Sequence, residues 1–435
     1  MKKALAMFLT LAMLVCTLVG CGAKVLSSSA AGSTQVSTAQ SSTAGELVTL
    51  RVSLWDYSNV NYFKTMFAEF EKAYPNIKIE PVEASAAEYD DLIQVKMSSK
   101  ENFDVVFIKG TPALSALIAK GHILALDDLI AADSSFDKSK YAGLIEQLTL
   151  DGKTYGVPFR KDNYVLYYNK DLFDAAGVAY PEDGMNLDDF RALAKKMTSG
   201  EGANKVYGAH IHTWASLVGA MPRRLNTWSY LDDSMDALKP YYDCVLGMMD
   251  DGSIMDYGEL KATSTHYSGV FYNQQAAMLP MGTWFINMLL ENADFNWGVC
   301  TLPNEKGSGN DTAMGGVTPV SIGAYAEHPE EAWQLIKFIT GKEGAPILAA
   351  TGILPGYSSD EINGIFDDMA SKKAGVPEKL SQYIDIDTYI VQEPMSTKGR
   401  ERSKVLDEEH DLIMTKSISL DDGIKEMNDR LAELK

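Results

Sequence analysis

Val48-Thr49-Leu50-Arg51-Val52-Ser53-Leu54-Trp55 places an apolar residue at every second position, with Thr, Arg and Ser between. That alternation is the signature of a strand with one face buried. Working outward, Ser58 to Asn61 offer helix-capping groups. Tyr62, Phe63, Met66, Phe67, Phe70 and Ala73 then recur at helical spacing until Pro75-Asn76. Ile77 to Val82 read as a second strand. Tyr89, Leu92, Ile93, Val95 and Met97 mark a second helix, and Asp104 to Ile108 a short buried strand. Pro112 suits the first turn of the helix that follows. Strand, helix, strand, helix, strand at this pace predicts an α/β fold with a largely parallel sheet. In such a sheet ligands bind beyond the carboxyl ends of the strands. Here those ends are Trp55-Asp56-Tyr57, the Glu83 to Glu88 region and Lys109-Gly110-Thr111.

With 435 residues and 46% hydrophobic content, the chain can bury a large core and is long enough for two or three domains. Its formal charge of −20 disfavours nucleic acid and anionic membrane surfaces as partners. Of four Cys, Cys16 and Cys21 lie near the start, and Cys244 and Cys300 in the body. One possible pair does not make a disulfide scaffold, and two buried thiols are an equal alternative. His210 and His212 could share a strand face, but with only six His in the chain the expectation is no metal and no cofactor.

Lys2-Lys3, an apolar run from Ala4 to Val19 and a small residue before Cys21 form a secretory signal too short to span a bilayer comfortably. The junction resembles the lipobox of bacterial lipoproteins, which implies lipidation at Cys21. Residues 24–46 are nearly all Ser, Thr, Ala, Gly, Gln and Val and read as a flexible tether. The expected address is therefore the outer face of the cell membrane, reached through a lipid anchor alone.

In mid-chain, Asp151 to Pro158 form a turn and a strand, and Tyr167-Tyr168-Asn169-Lys170-Asp171-Leu172-Phe173 follows, with Ala176-Gly177 beyond. Ala277-Met278, Gly282-Thr283-Trp284, Leu302-Pro303, Gly315-Gly316, Glu331-Ala332-Trp333 and Gly352 to Pro355 come later in order. This succession resembles the family 1 extracellular solute-binding proteins, the binding subunits of bacterial ABC sugar importers, of which maltose-binding protein is the best known. The match runs over about residues 48–360. One departure is Gln274-Gln275, where the family usually carries Gly.

The resemblance implies the two-lobed, type II periplasmic-binding-protein fold, with a ligand cleft between lobes joined by hinge crossings. The crossings are expected near Pro158, Gly316 to Pro319 and Pro355. The implied division is a signal peptide at 1–20 and a lipidated Cys with tether at 21–46. Lobe 1 would be 47–158 plus 318–357, and lobe 2 would be 159–317 plus 358–435.

A sugar presents a flat CH face and a rim of hydroxyls, so its site should mix aromatic rings with carboxylates, amides and Arg. Trp284 aligns with the family's stacking Trp. Trp55, Asp56 and Tyr57, then Glu88 and Tyr89, then Lys109, stand at strand ends. Arg160, Asp162 and Asn163 sit past the first crossing, Asp162 matching a family carboxylate. His212 and Trp214 precede an apolar helix, and Gly315 and Gly316 would let backbone approach the ligand.

The implied function is capture of a mono- or oligosaccharide and its delivery to an ABC permease, by a monomer without enzymatic activity. The alternative is a secreted glycoside hydrolase or a carbohydrate-binding surface lipoprotein. No nucleophile motif, HExxH or phosphate loop appears, although 59 acidic residues leave a carboxylate pair possible.

Overall fold

A computed structural model describes residues 47–434, with residues 87, 308–311 and 387 excepted. The expected signal peptide, lipidation at Cys21 and tether lie outside the described residues. Two sheets organise the chain. The first has five strands, in the order Ile77–Ala84, Val48–Trp55, Val105–Phe107, Val317–Ile322, Val157–Lys161. The second has four, in the order Trp297–Thr301, Tyr164–Asn169, Ala276–Gly282, Tyr207–Ala209.

The opening strand alternates as expected. Leu50, Val52 and Leu54 are buried, and Val48 pairs with Ile77 at the start of a parallel register that runs to Trp55 and Ala84. The helix Asn61–Ala73 turns Phe63, Met66, Phe67 and Phe70 onto this core. Its capping differs from expectation. Val60 is the N-cap without a side-chain bond, because Tyr57–Asn59 forms a tight 3₁₀ turn and Ser58 bonds Glu83 instead.

The sheets are mixed rather than largely parallel. Val317–Ile322 runs antiparallel to both neighbours, and three strands of the second sheet pair antiparallel. The right-handed crossover rule governs local β-α-β units. A strand that returns from a long excursion through the other sheet is free of it.

The helices of the Tyr-Tyr-Asn-Lys-Asp-Leu-Phe region show why that stretch reads so clearly. Asn169 caps the helix Lys170–Ala176 by accepting from Leu172 N at 3.1 Å. Gly177 ends it in the left-handed region at φ 63°. At the family departure, Gln274 takes a positive φ of 55°, the conformation a Gly would adopt freely. Its side chain compensates by accepting from Asn169 Nδ2 at 3.3 Å. Cys244 and Cys300 are buried free thiols.

Each sheet builds its own core. One cluster surrounds the first sheet, and two lie on the second. The chain passes between them repeatedly. The passage expected at 158/159 falls inside the continuous strand Val157–Lys161 of the first sheet, so it occurs at Asp162-Asn163. Nor does the 318–357 segment stay with the first core. Ala345, Ala349 and Leu354 pack in the second, although Leu348 packs in the first. A later segment, Tyr389 to Met395, dips back to the first core before the helix Gly399–Met414 joins the second.

These passages are tied to one another. Asp162 N donates to Gly316 O at 3.0 Å, Lys161 N to Leu354 O at 3.1 Å, and Gln392 N to Gly315 O at 2.8 Å. The Tyr389 hydroxyl donates to both Asp162 O and Gly316 O. Gly315 serves this knot: a Cβ there would stand 1.7 Å from the Asp162 carbonyl oxygen. Its missing side chain admits backbone, where the sequence pointed to a ligand.

Candidate functional site

The knot brings the strand ends of both sheets to one junction. On the first-sheet side Trp55 ends its strand half-buried, with the Lys109 ammonium 5.8 Å and the Arg160 guanidinium 6.0 Å from its ring centroid. Arg160 Nε donates to Thr318 Oγ1 at 3.0 Å and makes no ion pair with Asp162. Lys109 donates to Ala86 O and lies 3.6 Å from Asp90.

Asp162 lies at the passage itself. No donor within hydrogen-bond distance reaches its carboxylate among the described residues. Burial raises its pKa to about 6, against the opposing pull of Arg160. Its charge is felt by the hydroxyls of Tyr267 and Tyr389. Its Oδ2 is 3.9 Å from the Cβ position of Gly316. Such a carboxylate is an acceptor awaiting donors.

On the second-sheet side stands Trp284. Its Nε1 donates to Tyr267 Oη at 3.1 Å, and it meets Tyr164 edge-on at 5.4 Å. The Gly-x-Trp spacing has a steric reason. The ring lies where a Cβ on Gly282 would be, 1.8 Å from its nearest carbon. Trp214 is 6.2 Å from Trp284 and 38% exposed, a large ring left open to solvent.

Two cavities open at this junction and share Gln392 and Glu393. One, of about 180 Å³, lies between Lys109-Gly110-Thr111 and Gly316. The other, of about 530 Å³, lies between Trp214, Ser216 and the helix Gly399–Met414. Glu393 borders both. Burial raises its pKa to about 7, eased by Ser403, which donates to Oε2 at 3.2 Å.

Several expected contacts are engaged elsewhere. Tyr89 is buried, its hydroxyl held between Ser53 Oγ at 2.9 Å and Phe107 O at 2.6 Å. Asn163 is buried with both amide atoms occupied, Nδ2 donating to Tyr383 O and Oδ1 accepting from Met314 N. Tyr57 stacks on Phe67 at 5.9 Å, away from the Trp55 group. Asp56, at φ 52°, organises the neighbouring loop by accepting from Ala86 N. Glu88 is exposed and accepts from Ser85 Oγ. His212 is buried among Trp214, Tyr267 and His266.

The group at the junction is thus Trp55, Lys109, Arg160, Asp162, Trp214, Trp284 and Gly316. Sequence reasoning left out Tyr164, Ser216, Tyr267, Gln392 and Asp407. The polar pair Gln392-Glu393 before Pro394, directly after the apolar strand Tyr389–Val391, was the available signal.

His210 lies beside this group, its ring 5.8 Å from that of His212. It is buried, and neither ring nitrogen has a partner. Burial lowers its pKa to about 3. A depressed His is neutral when folded, so the stability this confers is present above pH 6.5 and is lost as pH falls towards 3. His210→Leu should therefore gain on the parent by about 1.4 kcal/mol per pH unit below 6.5. Melting temperatures of both proteins at pH 7, 6 and 5 check this; a gap that does not widen would contradict it.

Two α/β halves, joined by repeated crossings and meeting at rings and carboxylates, have the form of a type II two-lobed binding protein. The chain belongs to the bacterial extracellular solute-binding protein family, whose profile matches residues 57–346. It is similar to a sugar transporter from Rhizobium etli solved in an open conformation. That likeness has a TM-score of 0.80 and 33% identity, over 89% of this chain and 100% of that one. It resembles an ABC substrate-binding protein of Listeria monocytogenes, solved with cycloalternan, at TM-score 0.74 and 21% identity, over 89% and 99% of the two chains. The galactooligosaccharide-binding protein of Bacillus subtilis is 25% identical over 348 residues, 75% of this chain and 76% of that protein.

Proposed function

We propose that this chain captures a carbohydrate, a mono- or oligosaccharide, outside the cell and delivers it to the permease of an ABC importer. The observation that carries the reading is the pairing of rings with carboxylate acceptors at the junction. Trp284 and Trp214 offer faces for sugar CH groups, and Asp162 and Glu393 offer oxygens for hydroxyls. The sugars named for the Listeria and Bacillus proteins support the same class.

Ligand bridging both sheets would favour a closed arrangement by flexing the crossings, and that arrangement would be what the permease recognises. Binding and closure need no covalent chemistry, so the reading assigns no catalytic residue. Lobe 1 is built around the first sheet and lobe 2 around the second, with the first passage at Asp162-Asn163. The monomer would be held at the outer face of the membrane through lipid on Cys21.

A thermal-shift screen of saccharides tests the proposal. One sugar class should raise the melting temperature with concentration, as mass action requires, and should be recovered intact after long incubation. A sugar consumed on incubation would favour the hydrolase alternative, and a flat screen would remove the carbohydrate reading.

A further inference from the structure

Arg160 and Asp162 turn towards the junction, and Lys161, between them at the end of its strand, turns to the opposite face. There its ammonium is 2% exposed and makes no ion pair among the described residues. Nζ donates to Ser358 Oγ at 2.9 Å and lies 5.8 Å from the centroid of the Tyr389 ring. Neither Lys161, Ser358 nor Asp385 borders either cavity of the junction.

The groups around this ammonium all lie where the chain passes between the sheets. Ser358 follows Tyr357, which touches both cores, and its backbone N–H donates to Lys140 O at 2.8 Å on the first-sheet side. Asp385 stands between Ile384 of the second core and Ile386 of the first. It is exposed, and it accepts from Asn363 Nδ2 at 2.6 Å. Asn363 belongs to the helix Asp360–Ser371, whose Ile362 and Phe366 pack in the second core. Ser358 is thus tied to the first sheet with Lys161, and Asp385 to the second.

Bending that narrows the cavities widens the opposite face of the crossings. Two effects then act on the ammonium. Water reaches it, which favours its charge, and Asp385 recedes with the second sheet, which disfavours it. Burial lowers the pKa of Lys161 to about 8 against the pull of Asp385, so release from burial is the larger effect. Asp385 and Tyr389 are the charged and titratable groups that face it among the described residues. Burial raises the pKa of the Tyr389 phenol, which stays neutral.

We propose that Lys161 is a positioning residue for closure: its ammonium gains water as the cavities close on a saccharide and so favours the closed arrangement, while Asp385 restrains it. The inference rests on the capture-and-closure reading and adds the group that drives the crossings.

Calorimetry with glucose, galactose, maltose, lactose and cellobiose tests this on whichever binds the parent. At pH 7 Lys161→Met should bind that sugar about 5-fold or more weaker, and Asp385→Asn about 2-fold or more tighter. In a Lys161→Met background, Asp385→Asn should change nothing. Lys161→Met removes a buried charge, so it should melt no lower than the parent, which separates a lost drive to close from a damaged fold. Closure raises the pKa of Lys161, so near pH 8.5, by about half a unit above the free value, binding should take up a fraction of a proton. Titrations in two buffers of different ionisation enthalpy read that uptake, and Lys161→Met should show none. Unchanged affinity in Lys161→Met, weaker binding in Asp385→Asn, or equal proton uptake in parent and Lys161→Met would overturn this inference alone. Should none of these sugars bind the parent, the carbohydrate reading falls and ligand-free small-angle scattering decides this one. Asp385→Asn should then be more compact than Lys161→Met, and equal radii of gyration would overturn it.

Discussion

Asp162→Asn should make the empty protein more stable and its sugar complex weaker. The carboxylate is partly buried, faces no hydrogen-bond donor, and has its pKa raised from 3.8 to about 6 by burial. The sign follows from proton counts. Between about pH 4 and 6 the folded chain holds this proton and the unfolded chain does not, so stability falls as pH rises across that window and stays lower above it. Removing the charge should return about 1–2 kcal/mol at pH 7, after allowance for solvent screening. That gain should shrink as pH falls through 6 and vanish near 4. Binding should move the other way. Losing charged acceptance of ligand hydroxyls should cost about 1.5–3 kcal/mol, roughly 10- to 150-fold in affinity. Melting curves across pH, with calorimetry at pH 7, check both. A variant destabilised at pH 7 with undiminished affinity would show that Asp162 is structural.

Trp284→Ala carries the second large effect. The ring is fixed over Gly282, by Nε1 bonding to Tyr267, and by its edge contact with Tyr164. It would meet a ligand already oriented, so little ordering entropy would oppose stacking. Its loss should weaken sugar binding by about 1–3 kcal/mol, between 5- and 150-fold. Trp284→Phe should keep much of the affinity while losing the bond to Tyr267, which separates stacking from support. Calorimetry on folded variants decides; unchanged affinity in Trp284→Ala would remove this ring from the site.

Much of the architecture was legible because local rules carried it. Val48 to Leu54 alternate since one face is buried, and Asn169 and Gly177 begin and end a helix by capping chemistry. Gly282 and Trp284 come as a spaced pair because the ring occupies the missing side chain's place.

What escaped depends on which way a side chain turns after its strand ends. Tyr57 turns onto Phe67 and Tyr89 onto Ser53, and a shift of one residue at a strand end reverses such choices. Strand direction escaped too, since Val317–Ile322 returns from the other sheet and no local connection dictates its sense. Gln392 was hidden for a similar reason. It joins the junction only because Tyr389 to Met395 loops back to the first core, a tertiary event that leaves no periodicity.

The most direct measurement is a calorimetric titration of the parent and of Asp162→Asn with the saccharide that gives the largest thermal shift. The account predicts one saccharide per chain, with affinity falling at least about 10-fold in the variant. Binding of equal strength in both proteins, or a stoichiometry other than one, would contradict a ligand held where the two sheets meet.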